Sequence, residues 1–505
     1  MDNEKMKQIL QIFNKIDVCC VSTLNGSIIK NRMMHFVYDD EKEVIYLTST
    51  KNDPKVIQLK INSNISLLIY DKGQNFPEDK EIEIIGFGKI LNKDIERERA
   101  IKLLINRSPV VKNLVEIKKD EMLTFIEVKP ILIKFRIVAD ILRGIQPYVI
   151  EIRNVKKEES EVEILKRKTK AWIEESRYPF LSVSILTVIL GTVMAWVNNN
   201  IINFYDFFLT LLGVIFFHLG TNIINDYFDH KTGNDDINNE FVRPFSGGAR
   251  MIQMGLLTPF EVLVGGVLFF MLGSIIGFYF IYKCGYLILI IGIVGFLSGV
   301  FYVSPIVSLV KTGIGEILVG INLGILTTIG SYYVQTRNFS LETFLLSIPF
   351  GILITCILLI NEIPDYVADF KTDKKTIAVR MGKENTIKLF IYLIFLSYLI
   401  LILYAILFKW YVIFSLVSLP IAIKTIRHAM KNFNKSFELA KSNGLIILVF
   451  NMTIINIILI NIFLTANFNI FILLTISGTF YVVWMYKTII KQHQTFLKLK
   501  GIVNA

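Results

Sequence analysis

The 505-residue sequence contains only four cysteines, and their spacing fits neither a metal site nor a disulfide framework. We therefore expect Cys19, Cys20, Cys284 and Cys356 to be packed in the interior as free thiols. The N-terminal stretch MDNEKMKQIL is charged and amphipathic, and it lacks the apolar core of a signal peptide. This predicts a cytoplasmic N-terminal part. Internal repeats are also not evident, which argues against a transporter.

Charged residues are missing from long stretches of the second part of the chain. From Tyr178 onward, apolar runs of about 20 residues, long enough to cross a bilayer, alternate with short polar loops. Hydrophobic residues make up 53% of the chain, which is high for a soluble protein of this size. The pattern predicts four segments: a soluble domain at 1–150, a charged linker at 151–177 lying on the membrane surface, a transmembrane region at 178–490 and a basic cytoplasmic tail at 491–505.

The membrane region is predicted to be an all-α polytopic bundle of nine to ten transmembrane helices. Lysine and arginine are sparse in the loops that would lie outside and frequent in those that would lie inside, so both acid-rich loops should face the cytoplasm. The net charge of +11 is explained more simply by membrane orientation and binding to anionic lipid than by binding to nucleic acid. The candidate spans are 178–197, 203–225, 260–281, 285–303, 313–334, 342–361, 386–408, 410–425, 444–465 and 469–488.

The N-terminal 150 residues alternate short strand-like runs with three helical patterns, which predicts a small β-barrel with helical decorations, an α+β fold. Asn25-Gly26 between two strand-like runs indicates a hairpin. The strands are expected at 29–38, 43–49, 64–70, 81–91 and 122–138, and the later helices at 53–61 and 94–106.

Three segments of this domain resemble the pyridoxamine-phosphate-oxidase-like split barrels that bind FMN: STLNGSIIKNRMMHFVYD, VIYLTSTKNDPKVIQLKINSNISLLIY and IEIIGFGKIL. The resemblance implies that the flavin phosphate would lie near Arg32, Thr48, Ser49, Lys51 and Lys55. It also implies a homodimer, because the family usually builds its flavin site across two chains. Hydroxyls and cations at a strand end before a helix N-terminus suit an anion. The alternatives are solvated surface lysines and an empty barrel that serves only in dimerisation.

Two stripes of polar residues, each with the spacing of one helix face, lie at the ends of apolar spans. The first contains His218, Asn222, Asn225 or Asp226, and Asp229, which share one helix face. The second contains Asn361, Asp365, Asp369 and Asp373. Polar stripes inside a membrane are costly and mark functional sites. Two carboxylate clusters on one membrane side suit Mg²⁺ bound together with a substrate phosphate. The sequence therefore predicts a membrane enzyme that acts on a Mg²⁺-diphosphate.

Basic residues follow each stripe. Lys231, Arg243 and Arg250 follow the first, and arginine donates two parallel hydrogen bonds to phosphate. Gly247-Gly248 would let the backbone approach an anion. The second stripe is followed by Lys371, Lys374, Lys375 and Arg380, of which Lys375 is our candidate diphosphate ligand. Between the stripes, Tyr302, Lys311 and Glu316 are further candidates, although Lys311 also fits a membrane anchor.

The segments NDYFDHKTGND and NEIPDYVADFKTDKKTIAVRMG resemble the two aspartate motifs of the UbiA-type prenyltransferases. The segment KTGIGEILVGINLGILTTIGSYYVQT is similar to the branch that prenylates 1,4-dihydroxy-2-naphthoate in menaquinone synthesis. Asn225, Asp226 and Asp229 match the first motif, and Asn361, Asp365 and Asp369 match the second. The chain departs from the pattern at Gly233, where relatives have an aspartate that Asp235 would replace, and at Asp373, where they have glycine. The family has nine spans.

The resemblance implies transfer of a polyprenyl group from its diphosphate to an aromatic acceptor. Mg²⁺ would be held by Asp226, Asp229, Asp365 and Asp369, and the catalytic set would also include Asn225, Asn361 and Lys311. The substrate-binding set would be Asn222, Lys231, Arg243, Arg250, Tyr302 and Lys375. The alternatives are the same chemistry on a hydroxybenzoate, a haem-type porphyrin or a glycerol phosphate, and a flavin-dependent quinone reductase with a membrane anchor.

Overall fold

The chain divides into two compact units, Met1–Ala171 with Met251–Thr258, and Trp172–Arg250 with Pro259–Ala505. The computed structural model describes residues 2–25, 28–51, 53–92, 94–152, 161–238, 240–303, 308–465 and 468–499. Gly26 of the predicted hairpin turn, most of the first half of the predicted linker and the last residues of the predicted tail lie outside these ranges.

The first unit is built around seven antiparallel strands with short helices between them. The strands are β1 (Val18–Asn25), β2 (Ile28–Asp39), β3 (Val44–Thr50), β4 (Asn64–Asp71), β5 (Lys80–Ile90), β6 (Leu123–Ile137) and β7 (Tyr148–Glu151). The helices are α1 (Asp2–Lys15), α2 (Pro54–Ile61), α3 (Asp94–Leu104), α4 (Pro109–Glu116), α5 (Val138–Leu142) and α6 (Glu161–Glu175), with a short 3-10 helix at Asp120–Met122.

Six of these strands close into a barrel. The order is β3-β2-β1-β4-β5-β6-β7, and an additional pairing of β3 with β6 joins the two sides of the sheet. The 15-residue strand β6 is long enough to pair with β5, β3 and β7. Alternate strand residues, among them Phe36 and Phe135, point inward and form an apolar core, and Phe13 of α1 packs into the same core.

The predicted barrel with helical decorations is therefore the observed fold, and each predicted strand lies within one or two residues of an observed one. The periodicity missed α4, α5 and β7, which are 8, 5 and 4 residues long. Segments this short contain too few apolar positions to establish a period.

The second unit is helical. Its helices are α7 (Leu181–Asn199), α8 (Phe204–Lys231), α9 (Asn234–Ile237), α10 (Pro259–Cys284), α11 (Tyr286–Val303), α12 (Gly315–Gly320), α13 (Thr327–Thr336), α14 (Leu341–Glu362), α15 (Tyr366–Lys371), α16 (Ile377–Met381), α17 (Lys383–Leu407), α18 (Leu419–Asn432), α19 (Ser436–Thr465) and α20 (Phe468–Leu499). Turns of 3-10 helix lie at Tyr178–Phe180, Leu309–Lys311 and Trp410–Ser418, and a π-helical turn, Ile321–Leu326, joins α12 to α13.

Within the described ranges, eight helices are long and apolar enough to cross a membrane, and the shorter apolar helix Tyr286–Tyr302 accompanies them. The sequence predicted nine to ten spans, slightly more than these eight. The predicted span at 410–425 is a 3-10 segment that continues into α18, and the tenth candidate falls within α20. These helices have the length and composition expected of a multi-pass membrane protein.

The second unit has two different sides. On one side, α7, α14, α17, α18 and α19 form its main core, which contains Phe350, Phe390 and Phe450. On the other side, α8, α10, α11 and α13 surround a cavity of about 360 Å³, which residues of α14 also line.

Candidate active site

The first predicted motif lies on the last turns of α8. Asn222, Asn225 and Asp229 line the cavity, and the Asn225 amide donates to Asp229 at 2.9 Å. Asp226 is 3% exposed and points to the loop after α9, where one of its oxygens accepts the Ala249 N–H at 2.8 Å. Its other oxygen finds no hydrogen-bond partner among the described residues. A buried carboxylate oxygen without a donor is a candidate for a cation ligand.

The second motif begins at the end of α14 and continues into α15. Asp365 accepts hydrogen bonds from the Asn238 amide at 2.7 Å and from the Gly247 N–H at 3.0 Å. Asp369 accepts from the Asn234 amide at 2.9 Å. Burial raises the pKa of the Asp365 carboxyl despite these hydrogen bonds. Both carboxylates line the cavity, together with Asn361.

The loop at residues 246–249 connects the two motifs. The Gly247 N–H donates to the second motif and the Ala249 N–H to the first, so two residues of one loop, two positions apart, contact both motifs. Gly247 and Gly248 have φ of 71° and 69°, a left-handed conformation that favours glycine. A Cβ at Gly248 would lie 2.9 Å from the unpaired Asp226 oxygen. The glycine pair thus places backbone, not side chains, beneath the carboxylates.

Lys374 is the cation between the two motifs. Its ammonium lies 3.1 Å from both Asp229 oxygens and 4.0 Å from Asp369, and its side chain is 13% exposed. Burial acts to lower the pKa of Lys374, but the carboxylates of Asp229 and Asp369 outweigh it and hold that pKa well above its usual value. Burial raises the pKa of Asp369 to about 7, against the opposing effect of Lys374.

The carboxylates suit a metal that is shared with substrate. Among the residues that the structure describes, no group of three histidine, cysteine or acidic side chains forms a metal site by itself. Mg²⁺ usually binds one or two carboxylates and takes its other ligands from water and substrate phosphate. The unpaired Asp226 oxygen and the excess of acids over Lys374 fit such a partial ligand set.

The structure does not bring together all six predicted substrate-binding residues and the predicted catalytic lysine. Tyr302 and Asn222 line the cavity, whereas Lys231, Arg243, Arg250, Lys311 and Lys375 do not. Lys231 and Lys375 are exposed, and Lys375 pairs with Asp373 at 3.0 Å. Arg243 pairs with Glu174 at 3.3 Å, and Arg250 donates to the Asp235 carbonyl at 2.6 Å. Lys311 is half-buried, and its carbonyl accepts from Arg380 at 3.1 Å.

Three lining or buried groups were not in the predicted set. Arg177 and Lys374 line the cavity, as does Glu362 at the end of α14. Arg177 precedes the first span, where a basic residue is ordinary, so its position in the sequence indicates only membrane orientation. Lys374 was noted among four basic residues, but only the fold of the turn after α15 distinguishes it from Lys375. Glu316, which the sequence did indicate, is fully buried and accepts the Ile377 N–H at 2.7 Å.

From the carboxylates, the cavity continues as an apolar tube along α8. Nine residues of one α8 face line it, from Thr210 to Asp229, a length of about 28 Å at the helical rise per residue. Phe217, Gly273, Gly295 and Leu326 are among the apolar residues on its walls. A charged head at one end and an apolar tube behind it match an amphiphile with a long hydrocarbon tail.

The UbiA prenyltransferase family model matches residues 184–437, half of the chain. The chain belongs to the UbiA prenyltransferase family. It is 29% identical over 209 residues to the 1,4-dihydroxy-2-naphthoate octaprenyltransferase of Bacillus subtilis, a match that covers 41% of this chain and 65% of that protein. It is 29% identical over 227 residues to the enzyme of the same name from Haemophilus influenzae, covering 43% of this chain and 71% of that protein.

The UbiA region leaves the barrel unmatched. The barrel is similar to the solved structure of a Clostridium acetobutylicum protein related to general stress protein 26, of the pyridoxinephosphate oxidase family. The identity is 14%, the TM-score is 0.25, and the match covers 31% of this chain and all of that one. The barrel fold itself follows from the strand pairing described above.

Within the barrel, three of the five predicted phosphate ligands, Arg32, Ser49 and Lys55, lie near Asp53 or Lys55 at the start of α2. Arg32 donates to Gln58 at 2.8 Å and to Thr23 at 2.5 Å. The Lys55 ammonium donates to Ser49 at 3.1 Å and forms an ion pair with Asp53, which also caps α2. The Thr48 hydroxyl is buried and has no hydrogen-bond partner within the described part of the chain. Lys51 is exposed. Two cations against one carboxylate leave this cluster with a positive charge that a phosphate would balance.

Proposed function

We propose that this chain transfers a polyprenyl group from its diphosphate to an aromatic acceptor, and that the acceptor is 1,4-dihydroxy-2-naphthoate. The observation that carries the proposal is the convergence of Asp229, Asp365 and Asp369 with Lys374 at the head of an apolar tube. The names of the two bacterial relatives supply the acceptor.

In this mechanism the residues of the chain bind and orient the two substrates. The diphosphate lies between the two motifs, where Lys374 and Arg177 donate hydrogen bonds to its oxygens. Asp226, Asp229, Asp365 and Asp369 would hold Mg²⁺, which neutralises the charge of the departing diphosphate. The prenyl C–O bond breaks, the diphosphate takes the electron pair, and the acceptor ring forms the new bond with the allylic carbon. The attacked ring carbon then releases the group it carried, a proton that passes to the departed diphosphate or a carboxylate that leaves as CO₂, and the ring becomes aromatic again. The apolar walls keep water from that carbon.

One assay tests both the identity of the acceptor and the requirement for Mg²⁺. The purified chain in detergent is supplied with a polyprenyl diphosphate and, in separate reactions, with a dihydroxynaphthoate, a hydroxybenzoate, a haem-type porphyrin and a glycerol phosphate. We expect prenylated product from the dihydroxynaphthoate, in the presence of Mg²⁺ and not of EDTA. Product from another acceptor alone would overturn the assignment of the acceptor, and product in EDTA would overturn the metal.

The orientation in the membrane follows from the charge distribution. We propose that the barrel and both aspartate motifs face the cytoplasm, because Lys166, Arg167, Lys168 and Lys170 precede the first span and the loops of the opposite side carry few cations. Cysteine labelling of intact cells at an exposed residue of the motif loops, such as Lys375→Cys, tests this. Reaction with an impermeant reagent from outside would contradict it.

A second proposal concerns the barrel. The positive cluster of Arg32, Lys55 and Ser49 at the N-terminus of α2 supports FMN as its ligand, bound through the phosphate in a homodimer. A flavin carried by the same chain, once reduced by an external hydride donor, would keep the acceptor in its reduced, electron-rich form. A membrane-anchored reductase without transfer is disfavoured, because an anchor needs no buried carboxylates. The full chain should purify yellow, and the double variant Arg32→Ala with Lys55→Ala should be colourless; a colourless wild type that also fails to bind added FMN would contradict this.

A further inference from the structure

The end of the cavity opposite the carboxylates is closed by three apolar side chains. Phe280 of α10, Ile288 of α11 and Val334 of α13 all line the cavity, and they are 4%, 8% and 3% exposed. They pack with Cys284 into one buried cluster. We call Phe280, Ile288 and Val334 the end wall.

A charged network lies behind the end wall. Asp206, at the start of α8, is 3% exposed and forms an ion pair with Lys283 at 2.5 Å, with Arg337 4.0 Å away. Lys283 and Arg337 are close in sequence to the end-wall residues Phe280 and Val334. A hydrocarbon tail that passed the end wall would have to enter this ion-paired region, which is unfavourable. The tube therefore has a defined length.

Along this length, glycines provide the width of the tube. A Cβ placed at Gly277, Gly292 or Gly295 would meet no atom within 4 Å, so each of these positions borders open space. All three line the cavity. On α11, Gly295 and Gly292 lie progressively farther from Tyr302 at the carboxylate end and nearer to Ile288. A three-residue step along a helix is about 4.5 Å, close to the length of one extended isoprene unit.

We propose that the end wall sets the longest prenyl tail that this chain accepts, and that Phe280, Ile288 and Val334 are its specificity-determining residues. The inference rests on the proposed function, because it takes the apolar tube as the tail site. Tails shorter than the tube leave the wall untouched. A longer tail must displace buried, packed side chains, and protein interiors resist this as they resist overpacking.

The experiment measures kcat/KM for all-trans prenyl diphosphates of increasing isoprene number with the full-length chain. Gly295→Phe and Gly292→Phe shorten the tube, and each has room for the new side chain. We expect both to lower kcat/KM for the longest accepted tail by about tenfold or more while geranyl diphosphate changes little. The cut-off should fall at a shorter tail for Gly295→Phe than for Gly292→Phe. Phe280→Ala should move the cut-off to longer tails.

The matched control is Val294→Phe, which adds the same ring to the same helix at a residue that is 42% exposed and does not line the cavity. It should leave the length profile unchanged. Binding of unreactive prenyl thiolodiphosphates is measured in parallel. Length-dependent binding without any transfer would refute the proposed reaction and support the length limit. The inference is overturned if folded Gly295→Phe and Gly292→Phe show the wild-type length profile, or if all lengths weaken equally.

Discussion

At the scale of single residues, Lys374 joins the two aspartate motifs through Asp229 and Asp369. Lys374 and Lys375 are neighbours in a run of basic residues, and the helical spacing of the preceding aspartates does not continue into them. The backbone turn after α15 directs Lys374 between Asp229 and Asp369, while Lys375 pairs with exposed Asp373. The aspartates themselves were predictable, because carboxylates that repeat every four residues at the end of an apolar span rarely have a purely structural role.

The two lysines give a matched pair of variants. We expect Lys374→Met to lower prenyl transfer by about a hundredfold or more, since it removes the cation that balances two buried carboxylates and a diphosphate ligand. Lys375→Met should remain within about twofold of wild type, as an exposed ion pair contributes little. Initial rates at saturating Mg²⁺ measure both. Equal losses in the two variants would contradict the placement of Lys374.

A carboxylate of the barrel predicts a pH dependence of stability. Hydrogen bonds from Arg99, at 2.6 and 2.8 Å, outweigh burial and hold the pKa of Asp39 below its usual value. The group therefore adds stability above its unfolded pKa, near 4, and loses that contribution as the pH falls through the lower, folded pKa. The protection factors of β2 amides in the full chain, which correct for the slower intrinsic exchange in acid, should fall on acidification in wild type, and this fall should be smaller in Asp39→Asn. An unchanged acid response in that variant would contradict it.

At the scale of elements, hydropathy located the helices and alternation located the strands, because both patterns repeat over many residues. The loop between α9 and α10 was only partly predictable. Its glycine pair was recognised as a place for close approach to an anion, but the structure shows backbone N–H groups that bind the two aspartate motifs instead. The π-helical turn Ile321–Leu326 carries no sequence signal, since its composition resembles that of any apolar helix.

This loop yields a prediction with an internal control. Gly248→Ala should lower activity by about tenfold or more, because its Cβ would lie 2.9 Å from Asp226 and the left-handed backbone adds a further cost. Gly233→Ala has a similar φ of 75° but meets no atom within 4 Å. This variant incurs only the free-energy cost of a left-handed backbone at a residue with a Cβ, roughly 1–2 kcal/mol, and it should retain activity. The prenyl transfer rates of the two variants are compared at equal amounts of folded protein, which size exclusion in detergent measures. A larger loss of activity in Gly233→Ala than in Gly248→Ala would contradict the contact argument.

At the scale of the whole molecule, composition alone separated a soluble part from a membrane part, and strand order suggested the barrel. Which two strands close the barrel was not predictable, because the pairing of β3 with β6, which are distant in sequence, leaves no periodic signal. Sequence also placed the start of the membrane region at 178. A cut there removes Arg177, which lines the cavity.

We therefore predict that the membrane part functions without the barrel if the chain is cut before Glu161, and less well if it is cut before Tyr178. A chain that starts at Glu161 retains α6 and Arg177 and should transfer prenyl groups at a rate near that of the full chain. A chain that starts at Tyr178 should be slower. Both are assayed after insertion into the same detergent or nanodisc. A Glu161 chain that is inserted and folded but inactive would show that the barrel contributes to catalysis.

The central claim is that two carboxylate motifs act together on a diphosphate at the head of the tube. The most direct measurement compares the Mg²⁺-dependent prenyl transfer rates of Asp229→Asn, Asp365→Asn and Asp373→Asn. Asp373 continues the four-residue spacing of the second motif but is exposed and paired with Lys375. The account predicts a loss of about a thousandfold in the first two variants, since each loses charge at the diphosphate site, and a wild-type rate in the third. Wild-type turnover by folded Asp229→Asn or Asp365→Asn would contradict it.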